Sequence, residues 1–375
     1  MTEIPTTSGP GLRPEEFGAF FSAAHSTEDG PGPAPYQWQW RLLEQVLREG
    51  RWPEQIAAPT GAGKTAVIYV HVFAVALMAA GAAVRVPRRL SLVVDRRALV
   101  DNQYEEAAAL SALLSRVEGT DILGRVAAAL RTLQQSREAR PAPLRVTRLR
   151  GGTPVSVAWR DDAIGCQIIC ATPDMLGSRL LFRGYGTRRL ARPREAGLLA
   201  FDNVLIVDEA HLARQLITTA RRIGQLAVAC AEPLPVPALQ VVETTATPDP
   251  GTGVAVGVTE DDLSQDPYLA RKLTLPKPVR LVELEVWPLP RTGPARAAGL
   301  DSMAAEALAL RAEYGPTVGC FANTVNTAVE LASRLERAGK NTVLVCGEQC
   351  SRPVDQPREA CRGRTFPIDP VMVTE

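Results

Sequence analysis

Residues 58–65 read Ala58-Pro59-Thr60-Gly61-Ala62-Gly63-Lys64-Thr65. They match the phosphate-loop pattern GxxxxGK followed by Ser or Thr, except that alanine stands at the first position. In such a loop, small residues let successive backbone N–H groups surround a phosphate at a helix N-terminus, where the helix dipole favours anions. The stretch therefore predicts a nucleotide-binding loop in an α/β fold.

The loop residues have separate expected roles. We expect Lys64 to bind the β- and γ-phosphates of ATP and the Thr65 hydroxyl to bind Mg²⁺. A glycine-rich turn without a ligand is the alternative. It is disfavoured because the only lysines among 42 basic residues are Lys64, Lys272, Lys277 and Lys340, and a compact point charge suits a phosphate. The remaining residues that we expect to surround the nucleotide are Thr60, Gly61, Ala62 and Gly63.

A second motif, Asp208-Glu209-Ala210-His211, follows the apolar run 204–207. Acidic residues at the carboxyl end of a buried parallel strand lie in the ligand crevice of an open α/β sheet. We expect Asp208 to bind Mg²⁺ and Glu209 to orient and activate the attacking water. A lone histidine is usually structural, but beside two carboxylates His211 is expected to relay the nucleotide state to a neighbouring strand.

A third motif, Thr245-Ala246-Thr247, follows the predicted strand 239–244. Its hydroxyls are suited to hydrogen bonds with the acidic motif, which predicts a coupling role. Threonine-rich strand ends are common by themselves. The order and spacing of the three motifs together indicate that they form one ATP-hydrolysing site.

The wider pattern predicts two α/β domains. Apolar runs at 90–94, 167–170, 204–207 and 239–244 alternate with helical stretches, which is typical of a parallel sheet with helices on both faces. We expect a tail or linker at residues 1–34 with one short helix around 15–24, a first domain at 35–290, and a second α/β unit at 291–375. The second unit should contain a strand at 317–321, a helix at 327–337 and a strand at 342–346.

Composition narrows the possible environment and partners. Basic and acidic residues nearly balance, 42 against 41, so a nucleic-acid path must be local. The seven cysteines form no pair of CxxC motifs, and the N-terminus lacks a signal segment, so we expect ordinary thiols in a cytoplasmic protein. The apolar stretch 66–84 follows the phosphate loop, which predicts a buried helix and no membrane span.

These motifs resemble those of superfamily 2 DEAH-type helicases. The resemblance implies a RecA-like (P-loop NTPase) parallel-sheet domain followed by a second RecA-like domain, with ATP and Mg²⁺ as cofactors. It also implies that Gln39 reads adenine, with Gln37 as the alternative. The resemblance further implies contacts with the nucleic-acid backbone from Arg96, Arg97, Gly151, Gly152, Thr172 and Pro173. Without the resemblance, these residues would be interpreted as surface arginines and loop residues.

Three segments narrow the resemblance. SRLLFRGYG (178–186), LIVDEAHLAR (205–214) and CFANTVNTAVELASRL (320–335) are similar to the helicase of type I CRISPR interference, particularly the subtype once called U. The similarity implies a motor that pulls single-stranded DNA in the 3′ to 5′ direction, with a CRISPR effector complex as partner. The alternatives are a non-CRISPR DEAH-type translocase, an RNA helicase, and a non-catalytic ATP- and DNA-binding module.

Two departures from that family shape the expectations. Its members commonly carry an HD nuclease, but the only histidines here are His25, His71 and His211, so we expect the nuclease to be supplied elsewhere. The last residues, 371–375, resemble the start of a motif that normally continues Thr-x-x-Glu-x-Gly-x-Asp. We therefore expect a C-terminally truncated chain with an incomplete second domain that lacks the arginine fingers. Such a chain should still bind ATP but hydrolyse it slowly.

Overall fold

A computed structural model describes residues 11–134, 141–153, 157–229, 235–245, 254–276, 279–283, 288–344 and 371–374. The chain divides into two compact units, Met1–Pro276 and Lys277–Glu375. The first unit thus ends at Pro276. From the sequence alone, that boundary is expected at residue 290. The described residues between 279 and 290 form no helix or strand, and no change of periodicity marks the end of the first unit.

The first unit contains a seven-stranded, fully parallel sheet with the strand order β3-β4-β2-β5-β6-β1-β7. The predicted parallel α/β fold is confirmed. The strands are β1 (Gln55–Ala57), β2 (Arg89–Val93), β3 (Leu144–Leu149), β4 (Cys166–Ala171), β5 (Asn203–Val207), β6 (Gln240–Thr245) and β7 (Ala255–Gly257).

Helices cover both faces of this sheet. The helices of the first unit are α1 (Phe17–Ala24), α2 (Gln37–Glu49), α3 (Val67–Ala79), α4 (Arg97–Arg116), α5 (Ile122–Thr132), α6 (Pro173–Leu180), α7 (Arg192–Ala200), α8 (Arg214–Val228), α9 (Glu260–Gln265) and α10 (Pro267–Thr274).

The alternation of side chains along each strand separates two cores. In β4, Ile168 and Cys170 belong to the cluster that includes α1 to α5, whereas Ile169 and Ala171 belong to the cluster that includes α6 and α8. Because successive strand residues point to opposite faces, an uninterrupted apolar strand fills both cores. The central strands β2, β4 and β5 are buried throughout, as strands covered by helices on both faces must be.

Helix α3 is buried on all sides. Every residue from Val67 to Leu77 is buried, as expected for the helix that follows a phosphate loop beneath a sheet. Among the residues that the structure describes, no helix combines the length and the apolar character needed to cross a membrane.

The N-terminal segment is not simply a tail. Helix α1 inserts Phe17, Phe20 and Phe21 into the core, where the ring of Phe20 stacks on Phe73 of α3 at a centroid distance of 5.3 Å. Three phenylalanines on one face of an eight-residue helix provide enough apolar area to dock it. Residues 11–24 therefore pack as part of the first unit, contrary to the predicted tail.

The second unit carries a three-stranded parallel sheet with the order β8-β10-β9. Its described elements are α11 (Pro294–Tyr314), β8 (Val318–Phe321), α12 (Val325–Arg337), β9 (Thr342–Leu344) and β10 (Val371–Thr374). Leu300 of α11 and Leu331 of α12 lie at the centre of its apolar cluster. The described part therefore has the predicted α/β character.

Candidate nucleotide site and nucleic-acid face

The sheet order brings the three nucleotide motifs together. Strands β5, β6 and β1 are consecutive neighbours, and all three are parallel. Val207 pairs with Glu243, and Ala57 pairs with Thr245. The residues that follow these strands must therefore meet at one carboxyl edge, which is where ligands bind in open α/β sheets.

The phosphate loop is anchored at its start and fixed by glycine near its end. The Ala58 N–H donates to the Thr245 carbonyl at 3.0 Å, which joins the loop to β6. Gly63 adopts a left-handed conformation with φ of 76°, and a Cβ there would lie 2.9 Å from the Gln39 Nε2 atom. Only glycine satisfies both constraints. Lys64 and Thr65 then open the 3-10 turn that leads into α3.

Lys64 and Asp208 form the centre of the site. Lys64 Nζ donates to Asp208 Oδ1 at 3.1 Å, and the Thr244 hydroxyl donates to the same oxygen at 2.5 Å. The Glu209 N–H also donates to it, at 3.2 Å. A carboxylate with three donors on one oxygen is held in a fixed orientation.

Among the described residues, Thr244 at the end of β6 contacts the acidic motif. Sequence reasoning assigned the coupling role to Thr245, Ala246 and Thr247, and the last two lie outside the described residues. Thr245 contributes its carbonyl to the phosphate loop. Period-2 alternation along β6 would have identified Thr244, because residues 242 and 244 are the buried positions of that strand.

Glu209 and His211 lie together beside Asp208. Glu209 adopts a left-handed conformation with φ of 51°, which is uncommon for a residue with a side chain. His211 Nδ1 lies 3.6 Å from Glu209 Oε2, and both side chains are about half exposed. Backbone strain of this kind concentrates at functional sites, and here it leaves the Glu209 carboxylate accessible.

Helix α2 supports the phosphate loop from below. Trp38 Nε1 donates to the Ala62 carbonyl at 3.0 Å, and Gln39 Nε2 donates to the Gly63 carbonyl at 3.1 Å. Gln39 Oε1 accepts from the Tyr36 N–H at 2.9 Å, so its amide contacts the loop and the start of α2. Gln39 is buried, whereas Gln37, the alternative adenine reader, is exposed. Sequence reasoning did not identify the role of Trp38.

Helix α10 brings a second lysine to the loop, which sequence reasoning also missed. The Cε atom of Lys272 lies 3.3 Å from the position that a Cβ on Gly61 would occupy. One turn earlier is Tyr268, whose exposed ring centroid lies 6.0 Å from Lys272 Nζ. No hydrogen bond or ion pair ties this ammonium group to any residue that the structure describes.

An ion pair joins α2 to α9, the helix that leads directly into α10. Arg41 of α2 binds both oxygens of Asp262 in α9, at 2.8 and 2.5 Å, and also donates to the Gly257 carbonyl. The side chain of Asp266 caps α10 by accepting from the Leu269 N–H. Burial, and secondarily the negative charge of Asp266, raises the pKa of Tyr36, the residue before α2. Helices α2, α9 and α10 therefore form one support around the loop.

The side chains present are chemically suited to a magnesium triphosphate. Mg²⁺ prefers oxygen ligands, and the Asp208 carboxylate and the exposed Thr65 hydroxyl are such ligands at the edge of the loop. Within the described ranges, no group of three or more His, Cys, Asp or Glu side chains could hold a metal by themselves.

The candidate nucleic-acid residues occupy the other half of the same edge. Strands β3, β4 and β2 are consecutive, and each is followed by one of the predicted segments. Arg96 and Arg97 are exposed at the start of α4. Thr172 and Pro173 begin α6, and the Thr172 N–H donates to the Leu149 carbonyl at the end of β3. The sheet thus separates ATP candidates from nucleic-acid candidates along one edge.

Arg97 and the glycine pair are in contact. A Cβ on Gly151 would lie 3.2 Å from Arg97 Nη2, so the guanidinium lies against this glycine. Arg150, just before the pair, donates to Asp101 Oδ1 at 2.6 Å, and Arg148 donates to the same oxygen at 2.9 Å. Arg148 and Arg150 thus share the single carboxylate of Asp101, whereas Arg97 makes no ion pair with the described residues.

The fold and the site define a P-loop nucleotide hydrolase with its motifs on one sheet edge. The sequence profile of the DEAD/DEAH box helicase family matches residues 36–252, more than half of the chain. The chain belongs to this family, whose members are ATP-hydrolysing helicases. No curated protein sequence matches the chain.

Solved structures of helicases are similar over most of the chain at low identity. A variant of S. cerevisiae Dbp5 bound to a variant of Gle1 and to IP6 is 15% identical, with 91% of this chain and 69% of that chain covered and a TM-score of 0.47. S. cerevisiae Dbp5 bound to RNA and ADP BeF3 is 16% identical, with 91% and 70% covered and a TM-score of 0.42. A DEAD box protein from Methanococcus jannaschii is 15% identical, with 91% and 74% covered and a TM-score of 0.36.

Proposed function

We propose that the chain is an ATP-driven motor that moves along single-stranded nucleic acid. The observation that supports this most directly is the convergence of Lys64, Asp208 and Thr244 at the ends of three neighbouring strands. The arrangement joins a cationic phosphate contact to a carboxylate suited to Mg²⁺. Proposed nucleotide contacts are Lys64, Thr65, Gln39 and the backbone of residues 60–63.

Each residue of the site has a distinct proposed role. Mg²⁺ would neutralise charge on the β- and γ-phosphates when bound. Asp208 and Thr65 hold it, and Lys64 binds the same phosphates. Glu209 orients the attacking water and accepts its proton, because its carboxylate is exposed beside Asp208. His211 stays close to that carboxylate and relays its state.

The proposed track runs along the edge formed by β3, β4 and β2. Arg96, Arg97, the N–H groups of Gly151 and Gly152, and Thr172 with Pro173 are contacts suited to phosphates, and they carry no base code. The chain as a whole is nearly neutral, with a formal charge of +1, so binding relies on local cations such as Arg97. We therefore propose binding that depends on salt and hardly on base sequence.

We further propose single-stranded DNA as the track and type I CRISPR interference as the setting. The similarity of segments 178–186 and 205–214 to the helicase of those systems supports this choice. In this setting a CRISPR effector complex recruits the motor and a separate nuclease cuts the strand. An RNA helicase, a non-CRISPR translocase and a non-catalytic binding module are the alternatives.

The test is ATP turnover by the full chain and by Glu209→Gln, with single-stranded DNA or RNA of the same sequence. Loss of a general base should slow hydrolysis by about 10²- to 10⁴-fold while ATP binding is retained. Equal turnover by both proteins would contradict the role of Glu209. Stronger stimulation by RNA would favour the RNA helicase, and binding without turnover would favour the non-catalytic module.

A further inference from the structure

The segment that joins α6 to α7, residues 181–191, displays apolar side chains to solvent. The exposed fractions are 56% for Phe182, 61% for Tyr185 and 95% for Leu190. We name this segment, together with the first turn of α7, the arginine loop. It contains five arginines and no acidic residue between positions 181 and 194. A local charge of this size stands out in a chain with a formal net charge of +1.

Three of the five arginines of this loop make no side-chain contact of a polar kind with the described residues. Arg183, Arg188 and Arg189 are exposed, and their side chains make no hydrogen bond or ion pair to the part of the chain that the structure describes. Arg192 and Arg194 lie in the first turn of α7, where the positive end of the helix dipole disfavours cations. Their placement adds to the positive potential of the loop instead of relieving it.

Phe182 has a backbone conformation in which glycine is the usual residue. Its φ is 59°, in the left-handed region. The Phe182 N–H donates to the Arg179 carbonyl and the Arg183 N–H donates to the Ser178 carbonyl, which is the Schellman pattern at the end of α6. Glycine is favoured at this position because a side chain adds strain. Here a bulky ring is kept in strain and left exposed, so packing does not explain it.

A buried ionic network holds the loop in this conformation. Arg179 is fully buried and donates to the Met175 and Tyr185 carbonyls at 2.7 and 3.0 Å. Its Nε lies 3.4 Å from Glu195, which accepts from Arg160 at 3.1 Å and from the Thr187 hydroxyl at 2.8 Å. Burial lowers the pKa of Arg179, and the Glu195 carboxylate opposes this effect. Costly buried charges of this kind fix one backbone geometry.

Close packing reinforces that geometry. A Cβ on Gly184 would lie 2.8 Å from the Thr187 hydroxyl and 2.9 Å from Glu195 Oε2. Gly184 is therefore required between the two exposed aromatic residues. The loop is a rigid platform whose outer surface carries aromatic rings and free guanidinium groups.

We propose that the arginine loop is a second contact surface for single-stranded nucleic acid. Bases stack on Phe182 and Tyr185, and Arg183, Arg188 and Arg189 bind phosphates. Exposed rings among cations are the combination that binds single strands without sequence preference. An apolar protein partner would not require three exposed arginines that lack an ion pair among the described residues, so a polyanion fits better. The inference rests on the proposed function, because the motor must bind such a strand.

The decisive variant is Phe182→Gly. Because glycine relieves the left-handed strain, the melting temperature should stay the same or rise. The affinity for a mixed-sequence single strand should fall about 5- to 100-fold, as expected for one lost stacking interaction. A strand of the same length made of abasic nucleotides should bind the variant and the parent protein equally. A side chain with a purely structural role would not combine unchanged or higher stability with base-dependent loss of binding.

The second variant is Arg188→Ala with Arg189→Ala, and the matched control is Arg51→Ala with Arg116→Ala, two exposed arginines outside the loop. Fluorescence anisotropy with the full chain and a labelled oligonucleotide should give a log–log salt slope shallower by about 1.4 for the loop variant, from two lost phosphate contacts. The control should keep the parent slope. Parent-like affinity and slope in both loop variants would overturn the inference. Failure of the parent chain to bind any single strand would instead overturn the proposed function.

Discussion

Lys64 Nζ lies 3.1 Å from Asp208 Oδ1, so the phosphate loop and the acidic motif are joined by a direct ion pair. The two residues are 144 positions apart in the chain. They meet because β6 alone separates β1 from β5, and Thr244 of β6 shares the same carboxylate oxygen. The strand order therefore defines the site more directly than any single motif.

Thr244→Val should weaken the response to Mg²⁺. Removing the hydroxyl takes away the shortest of the three hydrogen bonds that orient Asp208. Partners of metal ligands typically contribute about 10- to 100-fold in metal affinity. ATP turnover titrated with Mg²⁺ should therefore show a half-saturation point raised by this factor. Thr244→Ser keeps the hydroxyl and should behave as the parent protein. The role assigned to Thr244 fails if the valine variant titrates normally.

Lys64→Ala and Lys272→Ala should both reduce ATP binding, but to different degrees. Lys64 is the direct phosphate contact, so its loss should abolish measurable binding. Lys272 is exposed and lies next to Gly61. Loss of a partly screened contact of this kind should lower the affinity for ATP about 3- to 10-fold. Fluorescent-nucleotide titration measures both effects, with Lys340→Ala as the control.

Adenosine distinguishes the role of Lys272 from an indirect effect. Because the lysine acts on phosphate, Lys272→Ala should leave adenosine binding unchanged. Equal losses for ATP and adenosine would show that the substitution disturbs α10 and not a phosphate contact.

Arg97→Ala should weaken all single strands alike. The Arg97 guanidinium lies against Gly151 without an ion pair among the described residues, so its loss removes one phosphate contact. The log–log slope of affinity against salt should become shallower by about 0.7. Anisotropy titrations at several salt concentrations measure the slope, with Arg51→Ala as the control. A loss that depends on base sequence would argue against a backbone contact.

Sequence reasoning identified the long central strands but missed the short or polar ones. The observed strands β2, β4, β5 and β6 begin and end within one residue of the predicted runs, and β2, β4 and β5 are buried throughout, as inner strands are. Strand β3 carries arginine at positions 145 and 148, as an edge strand tolerates, and so resembles a surface segment. Strands β1 and β7 have three residues each, which is too short for a periodic signal.

The sequence predicts only those residues of the candidate site that belong to a local motif. Lys64 and Asp208 lie in contiguous motifs, whereas Lys272 reaches the loop because the Arg41–Asp262 ion pair places α9 and α10 there. The sequence separation of 221 residues between that arginine and that aspartate hides the relationship. Contacts of this kind depend on tertiary packing, which no local spacing encodes.

The first unit should lose stability in acid because it buries a neutral histidine. His71 lies on the buried helix α3, 1% exposed, and its Nε2 has no hydrogen-bond partner among the described residues. Burial lowers the pKa of His71 to about 3 from an ordinary value of 6.5. Between these values the unfolded chain binds a proton that the folded chain does not. Stability is therefore full above about pH 6.5 and is lost as the pH falls.

The variant His71→Leu isolates this contribution. From pH 8 to pH 5 the parent protein should lose about 2 kcal/mol more unfolding free energy than the variant, since each pKa unit corresponds to about 1.4 kcal/mol. Urea unfolding followed by tryptophan fluorescence is suitable because the Trp52 ring centroid lies 6.4 Å from that of His71. Carboxylates titrate in both proteins, so they cancel in the comparison. Parallel pH profiles for parent and variant would show that folding leaves the pKa of His71 unchanged.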